Sequence, residues 1–74
     1  MKDFLDRTRD VELNLHILEF IKNRYKNGKT TASRHVHIRF DIGIEKAEEL
    51  LGNLAKEGKI SKSYDEEFQE FRYF

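Results

Sequence analysis

Arg39-Phe40-Asp41-Ile42-Gly43-Ile44-Glu45-Lys46-Ala47-Glu48-Glu49-Leu50-Leu51-Gly52-Asn53-Leu54-Ala55-Lys56-Glu57-Gly58-Lys59-Ile60 is the stretch whose reading decides the fold. It holds the apolar end of one helix, a three-residue break containing Gly43, and a second helix. The second helix is apolar at Ala47, Leu50, Leu51 and Leu54 and is closed by Gly58 before Ile60. A small residue three or four positions from leucines, just past a glycine turn, lets two helices cross closely at a steep angle. That spacing predicts a helix-turn-helix over about 33–56.

Upstream, Val11, Leu15, Leu18, Ile21 and Tyr25, with Ile17 beside them, share one stripe at helical spacing. They predict a first helix over about 10–25, which Phe4 and Thr8 extend toward Asp3. Asn27-Gly28 is its stop signal. Leu13 and Phe20, seven apart, fall on the opposite side from that stripe. Either the helix is covered on two sides within one domain, or the pair is a dimer contact between two copies.

Thr30-Thr31-Ala32 is a short strand candidate, and Ser33 a candidate N-cap. The segment that follows is ambiguous. Val36, Ile38, Phe40 and Ile42 alternate with His35, His37, Arg39 and Asp41 as in a strand. A helix instead buries Ala32, Val36 and Phe40 and exposes Ile38. We take the helix, over about 33–40, because the following turn needs a partner helix directly before it. Past Gly58, Ile60–Tyr64 and Phe68–Phe74 are strand candidates joined by Asp65-Glu66-Glu67. Alternation sets Phe71 and Tyr73 on one face and Phe68 and Phe74 on the other. Their aromatic face is expected to pack on helices 1 and 3. The expected architecture is one α+β, mainly α domain over 1–74: a three-helix core and a C-terminal hairpin over about 59–74.

The chain as a whole resembles a winged helix-turn-helix domain. Val36, Phe40-Asp41-Ile42-Gly43, Ala47, Leu50-Leu51 and Gly58 together resemble the DNA-reading gamma domain of the bacterial translocase FtsK, densely only between Val36 and Ser61. Most of the shared positions are packing positions. The resemblance implies that Gly43 begins a recognition helix, and that Ile44, Glu45, Lys46 and Glu49 can face DNA bases. Glutamate at 45, 48 and 49 departs from the polar or basic residues usual there.

Composition bounds the function. Seventy-four residues bury only about 60% of their unfolded surface, so stability is thin. The absence of cysteine removes disulfides and thiolate chemistry. No apolar run approaches the roughly 18 residues of a membrane span, and the N-terminus lacks a signal-peptide core. We therefore expect a soluble cytoplasmic protein without membrane partners, with Met1 as its native start. The zero net charge hides an asymmetry: residues 1–40 carry nine Lys/Arg and five Asp/Glu, and residues 41–74 the reverse.

In the DNA reading, helix 3 enters the major groove. Lys46 reaches guanine acceptors or a phosphate, glutamate accepts from cytosine N4, and Asn53 and Lys56 meet the backbone. Lys29, Arg34, His37 and Arg39 grip phosphates beside the groove, because positioning contacts need only cations. The tip Asp65-Glu66-Glu67 has the wrong sign, so Lys62 and Arg72 must do the wing's work. The expected function is a homodimeric transcriptional regulator reading a short palindromic site on double-stranded DNA. The alternative is a protein-interaction module whose acidic helix 3 and wing dock on a basic protein surface. Carboxylates at a helix start also satisfy its dipole with no partner at all.

Catalysis, metals and cofactors are not expected. His35-x-His37 shares a face only in a strand, and no third ligand beyond Asp41 is in sight, whereas zinc needs three or four. Ser33 with His35 lacks an acid and an oxyanion device, and there is no Gly-rich phosphate loop.

Overall fold

The computed structural model describes the backbone of residues 2–74 and the side chains of 11–74. Three helices, α1 (Lys2–Lys26), α2 (Ser33–Phe40) and α3 (Ile44–Lys56), precede an antiparallel hairpin of β1 (Lys62–Asp65) and β2 (Glu70–Tyr73). This is the winged helix-turn-helix topology, α+β and mainly helical. No described helix is long and apolar enough to cross a membrane.

Helix α1 is longer than the periodicity of 10–25 indicated, and its buried face keeps Ile17, Leu18 and Ile21 of the expected stripe but is rotated away from Val11, Leu15 and Tyr25. Ile17 and Ile21 are fully buried, with Leu13, Leu18 and Phe20 packed against the core beside them. Leu13, Ile17, Phe20 and Ile21 thus form the inward stripe. Val11 and Leu15, expected inside, remain 60% and 57% exposed. Phe4 and Thr8 lie outside the described side chains. Phe20 meets Phe40 of α2 edge to face at 5.6 Å. Tyr25 leaves the stripe too, stacking on Phe74 at 5.2 Å.

The helix ends follow local rules. After α1 the chain turns left-handed at Gly28 (φ 80°), Lys29 N–H donates to Arg24 O at 2.9 Å, and Gly28 N–H donates to Tyr25 O at 2.9 Å. This pair of bonds is the Schellman closure. Gly58 (φ 78°) repeats it after α3, with Lys59 N–H on Leu54 O and Gly58 N–H on Ala55 O, both at 3.0 Å. Between α2 and α3 the left-handed residue is Asp41 (φ 52°), while Gly43 is an extended N-cap (φ −61°).

Helix α2 is helical in spite of its alternating sequence. Val36 is fully buried and Ile38 is 76% exposed, as a helix requires. Ser33 is not its N-cap; Ala32 is. Alanine has no acceptor to offer, and His35 takes over part of the capping: Ala32 N–H donates to His35 Nδ1 at 2.9 Å. Glu or Gln usually fills that role three residues into a helix.

The core is Ile17, Ile21, Val36, Ala47, Leu50, Leu51, Leu54, Ile60 and Tyr73. Ala47, near the start of α3, is fully buried, and α2 and α3 pack against each other. In the hairpin Lys62 pairs with Tyr73, Ser63 with Arg72, Tyr64 with Phe71, and Asp65 with Glu70. Paired residues share a face. Tyr73 is buried, but its neighbour Phe71 remains 47% exposed, so only part of the expected aromatic face reaches the core. At the tip, Asp65 Oδ1 accepts from Glu67 N–H (3.0 Å) and Phe68 N–H (3.3 Å), and Gln69 turns left-handed. The hairpin is anchored by Thr31, which bridges to Tyr73.

Candidate nucleic-acid interface

Helix α3 buries Ala47, Leu50, Leu51 and Leu54, and helical spacing then turns the residues between them outward. Ile44, Glu45, Glu48, Glu49, Asn53 and Lys56 are all exposed, and Lys46 is half-buried with its Nζ 3.9 Å from Glu49. Beside this face runs an open groove of about 440 Å³ between α3 and the wing, lined by Ser33, Glu48, Gly52, Lys62, Tyr64 and Phe71 among others. A Cβ added at Gly52 would meet nothing within 4 Å. Tyr64 and Phe71 meet edge to face at 5.1 Å on the groove wall, and the Lys62 ammonium sits 4.1 Å over the Phe71 ring.

The cations expected to hold phosphates divide into two sets. Lys29 and Lys56 are exposed. Arg39 is exposed, with its guanidinium 5.3 Å over Phe40. His37 is exposed and its Nδ1 bonds the Ile42 carbonyl, closing the turn. Arg34 and Arg72, by contrast, converge on one carboxylate. Arg34 forks onto Glu70, Nε to Oε1 at 3.0 Å and Nη2 to Oε2 at 3.2 Å. Arg72 Nε lies 2.8 Å from Oε2 and 3.6 Å from Asp65 Oδ2. Neither contact is aligned as a hydrogen bond, so this buried N–H goes without an acceptor. Both guanidiniums lie against the Phe68 ring, at 5.8 Å and 5.3 Å.

These contacts move protonation equilibria. The hydrogen bond from Arg34 holds the Glu70 carboxyl below its ordinary range, and Glu70 in turn raises the Arg34 guanidinium. Burial lowers His35, and the charges of Arg24, Arg34 and Arg72 lower it further. Burial, with the Glu48 charge, raises the Tyr73 phenol.

Sequence reasoning did not foresee Glu70 as the partner of Arg34 and Arg72, because a contact across 36 residues leaves no local pattern. Nor did it foresee the groove aromatics, although Tyr64 and Phe71 fall in register once the hairpin turn is placed. Leu13 and Phe20, proposed for a dimer contact, are half-buried against their own core; among the described residues of α1, Val11 and Leu15 are the exposed aliphatic pair. His35 and His37 are each engaged with backbone near their own helix ends. Among the described residues, no group of three or more His, Cys, Asp or Glu is placed to hold a metal ion.

The topology and the exposed α3 face define a winged helix-turn-helix domain. No family model matches the chain, and neither curated proteins nor solved structures give a match.

Proposed function

We propose that this is a small DNA-binding protein, a cytoplasmic transcriptional regulator, whose α3 enters the major groove while α2 and the wing meet phosphates. The observation that carries this reading is the uncovered face of α3 lying beside the wing groove, with Ile44, Glu45, Glu49, Asn53 and Lys56 all turned to solvent. A major groove about 12 Å wide accepts such a helix. The resemblance to the FtsK gamma domain, with Gly43 at the start of the reading helix, points the same way. Glu45, Glu48 and Glu49 suit acceptance from cytosine N4 and disfavour close phosphates, so affinity must come from cations around the helix. Titration of the purified protein against pooled random duplexes at two salt concentrations tests the reading. Binding should weaken steeply with salt, and Lys46→Ala and Arg34→Ala should each weaken it. Salt-independent binding, or none at low salt, overturns it.

A second reading, docking on a basic protein surface, is favoured by one observation: Arg34 and the wing's Arg72 are already paired with Glu70 and Asp65, and the wing tip carries Glu66 and Glu67 besides. Reversing the charge of Glu45, Glu48 and Glu49 separates the two. Duplex binding improves if the glutamates only obstruct, and partner capture is lost if they form the docking face. For pairing of two copies, the exposed Val11 and Leu15 offer a better surface than the half-buried Leu13 and Phe20.

A further inference from the structure

We propose that the Glu70 carboxylate is an internal substitute for a phosphate: it plugs a site formed by Arg34 and Arg72 where α2 meets the wing, and a nucleic-acid backbone phosphate displaces it. The inference rests on the DNA reading above and specifies where on the surface the backbone is held.

Two guanidiniums converging on one anion is the arrangement by which arginine recognises phosphate. Arg34 uses both Glu70 oxygens in a planar fork at 3.0 and 3.2 Å. With Glu70 turned to meet the Arg34 fork, its remaining lone pairs are not aimed at the second arginine, and Arg72 Nε remains without an aligned acceptor 2.8 Å away. A phosphate, being tetrahedral, sends oxygens out of that plane and can meet both.

The arms are held by contacts other than Glu70. Phe68 packs against both guanidiniums, and Arg72 Nη1 donates to Thr30 O at 3.5 Å and to Thr30 Oγ1 at 3.4 Å. The site opens to solvent on the Arg34 side: the Arg34 side chain is 49% exposed, that of Glu70 21%, and that of Arg72, lying beneath Glu70, 15%. Glu70 also lines the groove that runs beside Glu48 and Gly52 of α3. A strand lying along α3 therefore passes the pair. A carboxylate that merely braced the wing would behave in the opposite way on removal.

The test compares Glu70→Gln with Glu67→Gln, which removes the same charge from the wing tip without touching the arginines. Glu70→Gln should tighten duplex binding roughly tenfold at low salt and steepen the salt slope by about one. Glu67→Gln should do much less, and adding Arg34→Ala should cancel the gain. Equal effects of the two variants, or weaker binding by a folded Glu70→Gln, overturn the proposal; Glu70→Ala serves as the second variant. Inorganic phosphate is titrated in parallel while the arginine side-chain N–H resonances are followed by NMR. They should move in Glu70→Gln and stay still in the parent protein. If no variant binds duplex, the DNA reading fails, and the phosphate titration alone decides the plug: still resonances in Glu70→Gln sink it.

Discussion

Thr31 and Tyr73 exchange both of their backbone hydrogen bonds, Thr31 N–H to Tyr73 O at 2.9 Å and Tyr73 N–H to Thr31 O at 2.7 Å. The residues leading into α2 are thereby joined edgewise to the last strand, and the wing is fixed to the helix-turn-helix. The Tyr73 ring fills the core on the inner side of that junction. Tyr73→Ala should cost about 3–5 kcal/mol. A domain of this size has only about 4–11 kcal/mol in hand. Urea denaturation followed by circular dichroism should show the midpoint collapse; a shift of under 1 kcal/mol would mean that the ring is not buried in solution.

Val36 and Ile38 distinguish a helix from a strand. In the helix only Val36 is covered, so Val36→Ala should cost roughly 2 kcal/mol. Ile38→Gln, at an open position, should change stability by no more than about 0.5 kcal/mol. Comparable losses at both positions would contradict a helical α2.

Asp41 holds the left-handed conformation between α2 and α3 without being glycine. Asp41→Gly should therefore stabilise the domain by about 0.5–1 kcal/mol, since glycine reaches that conformation without a steric penalty. The reverse change at the other end of α3, Gly58→Ala (φ 78°), should destabilise by a similar amount or more. Thermal unfolding of the two variants checks the pair; a loss at Asp41→Gly would show that its carboxylate matters more than its backbone.

His35 predicts an acid dependence. Its folded-state pKa lies below the ordinary 6.5, so the unfolded chain takes up a proton first as pH falls. The contribution is complete above about 6.5 and is lost on acidification from there down to the depressed folded value. Protonation also fills the Nδ1 lone pair that accepts from Ala32 N–H. His35→Gln keeps an acceptor at that position without titrating, so stability should become flat across this window. Glu70 acts at lower pH: its folded pKa lies below 4.5, and its contribution is present above 4.5 and disappears as pH drops further. Denaturation midpoints measured from pH 7.5 to pH 2 separate the two, and an unchanged slope between pH 7.5 and pH 5 in His35→Gln would rule out the histidine.

Helix α3 was legible because Ala47, Leu50, Leu51 and Leu54 repeat at one helical period and Gly58 follows them. Helix α1 was legible as a helix but not in its orientation. Its sequence carries two apolar sides, Val11–Leu15–Leu18–Ile21–Tyr25 with Ile17 beside it and Leu13–Phe20 opposite, and periodicity alone cannot say that the buried face lies between them, on Leu13, Ile17, Leu18, Phe20 and Ile21. The partner that decided it, Phe40, comes from a segment whose own alternation suggested a strand. The basic residues of the proposed interface were legible as charges only. Whether an arginine is available to a phosphate depends on what lies across from it, and Glu70 reaches Arg34 only once the hairpin has folded back.

The bridge between Thr31 and Tyr73 also bears on the order in which the molecule assembles. α2 and α3 are neighbours in the chain, and so are β1 and β2, so both units meet early and at little entropic cost. The edgewise bridge must close a far longer loop and should form after the rate-limiting barrier. Substitutions that weaken it would then leave the refolding rate nearly unchanged and appear as faster unfolding. This small chain would owe its lifetime in the native state to one late closure.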